Sequence, residues 1–104
     1  MARVLAVAPD LFFASKIDAT LKAAGHDVTI VAGDSPANGT DVVIVDLDNA
    51  PVDVAVPAGV PRLGFYSHTD VDTRRRAEAA GFALVVPRSR MAREMPDLVA
   101  SLLK

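Results

Sequence analysis

The sequence predicts one α/β domain, spanning residues 1–104, with a mostly parallel five-stranded sheet, about three main helices and two shortened crossovers. Three observations carry this. Short apolar runs alternate with helical patterns, beginning strand–helix–strand, the order that builds parallel sheets with right-handed crossovers. The strand runs are apolar at successive positions, as in strands covered on both faces. The chain has 104 residues, 51% of them hydrophobic, which is enough for one core and too few for two domains.

Residues 4–8 are a continuous apolar run closed by Pro9 and Asp10. Residues 11–24 read as a helix, with Asp10 as its N-cap and Gly25 just past its end. Leu11, Ile17, Leu21 and Ala24 lie near one face of it. Successive helix residues are about 100° apart. One ring of Phe12 and Phe13 therefore joins the core, and the other faces the surface or the mouth of a site. Residues 28–31 form a second strand, and 32–40 are rich in turn formers with no helical period. Residues 41–46 form the third strand. Pro51, Pro57 and Pro61 leave room for at most one helical turn before a fourth strand at 62–66. A helix over 69–80 opens on a capping box of Thr69 and Asp72 and ends at Gly81. Residues 83–86 form the fifth strand. The last helix runs to Lys104, its regular part starting near Met95 because proline (Pro96) is tolerated in a first turn. Residues 91–94 then form a separate turn or a kinked lead-in.

Composition excludes several function classes. With 11 basic and 13 acidic residues the formal charge is −2, too balanced for general attraction to nucleic acid or membranes. There is no Trp, and only four Phe and one Tyr, which argues against stacking platforms for single strands. The absence of cysteine rules out disulfides and thiolate metal sites and fits a reducing compartment. No apolar run approaches a secretory signal or the roughly 20 residues of a membrane span, so a cytoplasmic protein is expected.

The segment Asp41-Val-Val-Ile-Val-Asp46-Leu47 resembles the third strand of response-regulator receiver domains from bacterial two-component signalling. That strand ends in the phospho-accepting aspartate followed by an apolar residue, so the resemblance places Asp46 at the acceptor position. Ser67, after Phe65 and Tyr66, matches the hydroxyl at the end of the family's fourth strand. Pro87, after Leu84, Val85 and Val86, matches the proline after the fifth. The run from Asp72 to Gly81 and Phe82 resembles the family's approach to that strand. The resemblance covers nearly the whole chain and implies a flavodoxin-like fold of strand order 2-1-3-4-5. It also implies a site at the carboxyl ends of the strands, near the switch point between strands one and three.

The chain departs from the family where phosphoryl chemistry is concerned. The two acidic residues that hold Mg²⁺ in receivers are replaced by Ala8 and Pro9, with Asp10 the first acidic residue after them. The lysine before the fifth-strand proline is replaced by Val86, with Arg88 two residues on. Phosphoryl transfer needs a metal and a cation to offset charge on the phosphoryl oxygens. The chain thus resembles an atypical or pseudo-receiver.

The loops at the carboxyl ends carry Asp10, Asp46, Asp48, Ser67, His68, Asp70, Arg88, Ser89 and Arg90. Asp46 is the acceptor-like residue or, alternatively, a carboxylate receiving backbone N–H groups in a turn. Asp10 is a helix cap or a site residue. Asp10, Asp46 and Asp48 are the oxygen ligands available to Mg²⁺, with Asp10 and Asp46 the leading pair. Ser67, His68 and Asp70 cannot form a triad from within one loop, and His68 is left as a site-lining residue. Arg88, Ser89 and Arg90 read equally as an anion clamp or as solvated charge. Arg74, Arg75 and Arg76 spread around a helix and read as a solvated face. No glycine-rich phosphate loop and no nucleophile elbow is present, so no catalytic residue is assigned and no enzyme is expected.

The leading expectation is a stand-alone, non-catalytic regulatory module acting through protein–protein contacts, possessing or lacking phosphorylation at Asp46. The alternative is a small-molecule or anion-binding domain using Arg88, Ser89, His68 and Asp10; a structural subunit is a third reading. The reduced helices under-cover one sheet face, which predicts a homodimer or a protein partner over it. Otherwise Val52, Val54, Val56 and Val60 cover that face themselves.

Overall fold

Residues 2–33, 39–56, 58–67 and 71–103 are described by the computed structural model. The elements run β1 (Arg3–Val7), α1 (Leu11–Ala23), β2 (Asp27–Val31), β3 (Val42–Asp46), β4 (Arg62–Tyr66), α2 (Val71–Ala79), β5 (Leu84–Pro87) and α3 (Arg88–Leu102). The sheet has the order β2-β1-β3-β4-β5, and every pairing is parallel. Side chains alternate across a strand, and here both faces are apolar. Val4, Ala6, Val42, Ile44, Leu63 and Phe65 pack with α1 and α3 on one side. Leu5, Val7, Val43 and Val45 form a second cluster on the other.

α1 begins as expected: Asp10 caps it, its side chain accepting the Phe12 N–H at 3.0 Å. Gly25, just past its end, takes the left-handed φ of +91° that favours glycine. Phe13 is buried, whereas Phe12 is 92% exposed. At α2 the structure begins at Val71, and Thr69 of the expected capping box lies outside the described residues.

Two expectations are corrected. α3 does not start near Met95; it runs unbroken from Arg88 with Pro96 in its interior. An interior proline costs about 3 kcal/mol. Burying a methionine contributes roughly 1.5–3 kcal/mol, and both Met91 and Met95, which precede Pro96, are fully buried. Together with Leu98 and Val99 they form one continuous stripe against the sheet, so an unbroken helix is favoured over a break.

The second correction concerns the under-covered sheet face. The segment between β3 and β4 has no helix among its described residues, yet the sheet beneath it is closed. Val54 and Ala50 are buried, and Val52, Val56 and Val60 pack against the cluster of Leu5, Val7, Val43 and Val45. Proline disfavours helix here, and the chain turns at 52–53, the Val54 N–H donating to the Pro51 oxygen at 3.2 Å, so that Val52, Val54 and Val56 pack on the sheet while Asp53 and Ala55 are exposed. Ala77 of α2 and Phe82 complete the cover. The open face that predicted a homodimer is therefore absent from the described structure. Of the other short crossover, 34–38 lie outside the described residues. Among the described residues no helix is long and apolar enough to cross a membrane.

If the valine loop is what closes this face, Val54→Asp places an unpaired charge in the cluster. A loss of about 3 kcal/mol of unfolding free energy is expected, measured by urea denaturation; an unchanged midpoint would show that Val54 is not part of the core.

Candidate functional site

Asp46 ends β3 and is the one charged side chain fully buried among the described residues, at 0% exposure. A buried carboxylate is tolerated only when its oxygens are hydrogen-bonded and its charge is matched. Both conditions are met. Oδ1 accepts the backbone N–H of Asp48 at 3.1 Å and an Arg88 Nη2–H at 3.2 Å. Oδ2 accepts from Asn49 Nδ2 at 2.8 Å. The Asp46 main-chain oxygen turns the loop back, accepting from Asn49 and Ala50.

The matching charge arrives from α3. Pro87 lies beside Tyr66 in the sheet register and ends β5, so the next residue, Arg88, starts its helix directly at the carboxyl edge. Its guanidinium is shared among three carboxylates. Nη2 lies 3.0 Å from Asp48 Oδ2 and 3.2 Å from Asp46 Oδ1, and Nη1 lies 3.8 Å from Asp10 Oδ2. Two aromatic rings form its other wall: the guanidinium carbon is 4.6 Å from the Phe13 centroid and 5.1 Å from that of Phe65. The rings themselves are 4.6 Å apart. Cation–π contacts of this kind strengthen as they are desolvated, and the Arg88 side chain is only 23% exposed.

Ser67, just after β4, completes the cluster. Burial pushes the Asp48 carboxyl up. The Ser67 backbone N–H and hydroxyl, followed by the Arg88 hydrogen bond and charge, outweigh that and leave it below the ordinary carboxylate value. Groups from β1–α1, β3, β4 and α3 thus converge on a single cation.

Of the residues expected at this end, Asp10, Asp46, Asp48, Ser67 and Arg88 are brought together. Ser89 is exposed and takes no part in these hydrogen bonds, and Arg90 pairs with Glu94 on its own helix. Arg88 turns inward to carboxylates, so the expected anion clamp of Arg88, Ser89 and Arg90 does not assemble. His68 and Asp70 lie outside the described residues. Asn49 and the two-ring wall were not anticipated. The only sequence signal for Asn49 is an amide three residues after a strand-ending aspartate.

No family model matches the chain, and no curated protein does. Solved structures do match. A response regulator receiver protein from Burkholderia phymatum superposes with a TM-score of 0.77 at 19% identity, covering 99% of this chain and 95% of its own. The ChxR receiver domain from Chlamydia trachomatis gives 0.76 at 18%, covering 98% and 95%. A CheY-like response regulator from Mesorhizobium loti gives 0.75 at 18%, covering 96% and 97%. The chain has the fold of response-regulator receiver domains.

Two outcomes follow from the cluster. Arg88→Ala strips the matching charge from a fully buried carboxylate, and a loss of about 3–5 kcal/mol is expected at neutral pH; a loss below 1 kcal/mol would contradict the pairing. Asp48 titrates lower in the folded chain than in the unfolded one. Its contribution is therefore complete above the unfolded carboxylate value, about 3.9, and is lost as pH falls through the lower folded value. The stability gap between wild type and Asp48→Asn, followed by denaturation across acid pH, is expected to narrow below about pH 4.

Proposed function

We propose that this chain is a receiver-like regulatory module of the cytoplasm that works through protein–protein contacts and does not use Asp46 as a phosphoryl acceptor. The observation that supports this is the state of Asp46, fully buried with both carboxylate oxygens engaged. An acceptor carboxylate must present a free lone pair in line with the leaving group, and a donor must reach it. Here Oδ1 already accepts two hydrogen bonds and Oδ2 one, and the fully buried side chain offers a donor no approach to the remaining lone pair.

With no acceptor chemistry, the module acts by what its surface binds. A partner protein fits this better than a second copy, since the face expected to carry a homodimer is covered by the valine loop. The receiver fold supports a place in two-component-type signalling, and the closed carboxyl end supports a non-enzymatic one.

The test is incubation with acetyl phosphate and Mg²⁺ followed by intact-mass measurement, with a beryllofluoride titration read by amide NMR. No phosphoryl adduct is expected, and no shifts at Asp46, Ser67 or Arg88. An adduct that disappears in Asp46→Asn would overturn the proposal.

A further inference from the structure

We infer that Arg88 is the chain's own replacement for a divalent cation, so that the carboxyl end of the sheet is complete without metal. The receiver fold implies Mg²⁺ at this end, and with Arg88 in place the residues present do not fit it. Mg²⁺ requires near-octahedral oxygen ligands at about 2.0–2.1 Å. Among the described residues no group of three or more acidic or imidazole side chains has the arrangement to hold a metal ion. The guanidinium instead lies among these carboxylates, with their oxygens at 3.0, 3.2 and 3.8 Å from its nitrogens.

The wall of the site suits the guanidinium better than a hydrated metal. Mg²⁺ keeps several waters when bound, whereas the faces of Phe13 and Phe65 offer these waters no hydrogen-bond acceptor of carboxylate strength. A planar, weakly hydrated guanidinium stacks on such rings and donates to several carboxylates at once. The charge is also met from the backbone. α1 and α3 both start at this end, at Leu11 and Arg88, and helix N-termini carry partial positive charge. One guanidinium and two helix ends stand against three carboxylates. In effect an internal side chain that cannot be chelated away does the work of an exchangeable ion.

This inference deepens the reading of Asp46 given above and rests on it for its functional meaning. Its test uses Mn²⁺ as a paramagnetic probe on wild type and Arg88→Ala, followed by amide NMR. In the wild type, Mn²⁺ is expected to leave the Asp46, Asp48 and Ser67 amides unbroadened, and Mg²⁺ to leave Tm unchanged. In Arg88→Ala the uncompensated carboxylates are expected to attract the ion, broadening those three amides selectively and giving a Mg²⁺-dependent rise in Tm. If Arg88→Ala does not fold without metal, recovery of a dispersed spectrum on adding Mg²⁺ supports the inference, and failure to recover overturns it. Selective broadening in the wild type, or none in a folded Arg88→Ala, also overturns it. An acyl phosphate on the wild type would instead remove the reading of Asp46, so the two failures are told apart.

Discussion

A carboxylate without solvent at the end of a central strand is the constraint around which this molecule is arranged. Asp46 ends β3, between β1 and β4, and the rest of that strand, Val42 to Val45, is apolar and fully buried. Burying such a charge alone costs several kcal/mol even after relaxation. The chain offsets this with three hydrogen-bond donors and one formal positive charge. Two of the donors are local, Asp48 and Asn49, within three residues. The charge comes from 42 positions away, on α3. The fold that brings β5 and α3 to the same edge as β3 is thus also what makes Asp46 tolerable, and Arg88 in turn ties the start of α3 to the loops after β1 and β3.

The same economy appears on the opposite sheet face. A receiver-type sheet needs cover on both sides because its strands are apolar throughout. α1 and α3 supply it on one side. On the other, α2 contributes only Ala77 to the buried set, and its exposed residues are largely charged. The remaining cover is a proline-rich loop whose alternate valines face the sheet. A loop does this with less regular hydrogen bonding than a helix, but the buried apolar area is what stabilises the sheet.

Much of the fold was legible because the signals were periodic or conformational. The five apolar runs, the Asp10 cap and Gly25 at the left-handed position each follow from local chemistry. Parallel topology likewise sends Asp10, Asp46, Asp48, Ser67 and Arg88 to one edge whatever their rotamers. What could not be read was direction. An arginine at a helix start points outward to solvent or anions as readily as inward, and nothing near Arg88 in sequence announces Phe13 and Phe65, which are distant in the chain and meet only through packing. Pro96 misled for a related reason. Its local rule places it in a helix's first turn, and only the burial of Met91 and Met95 against the sheet carries the helix on toward Arg88. The expectation of an open face likewise counted helices and gave too little weight to four valines in a loop.

The Arg88 guanidinium lies as an internal cation between Asp46, Asp48, Asp10 and two aromatic rings. Side-chain NMR of the arginine guanidinium groups reads whether it is held there. A guanidinium held this way cannot rotate freely and exchanges its protons slowly, so Arg88 is predicted to give separate, ring-shifted and exchange-protected Nη–H signals that collapse in Asp46→Asn. Averaged, rapidly exchanging signals for Arg88, like those of a solvated arginine, would contradict the account.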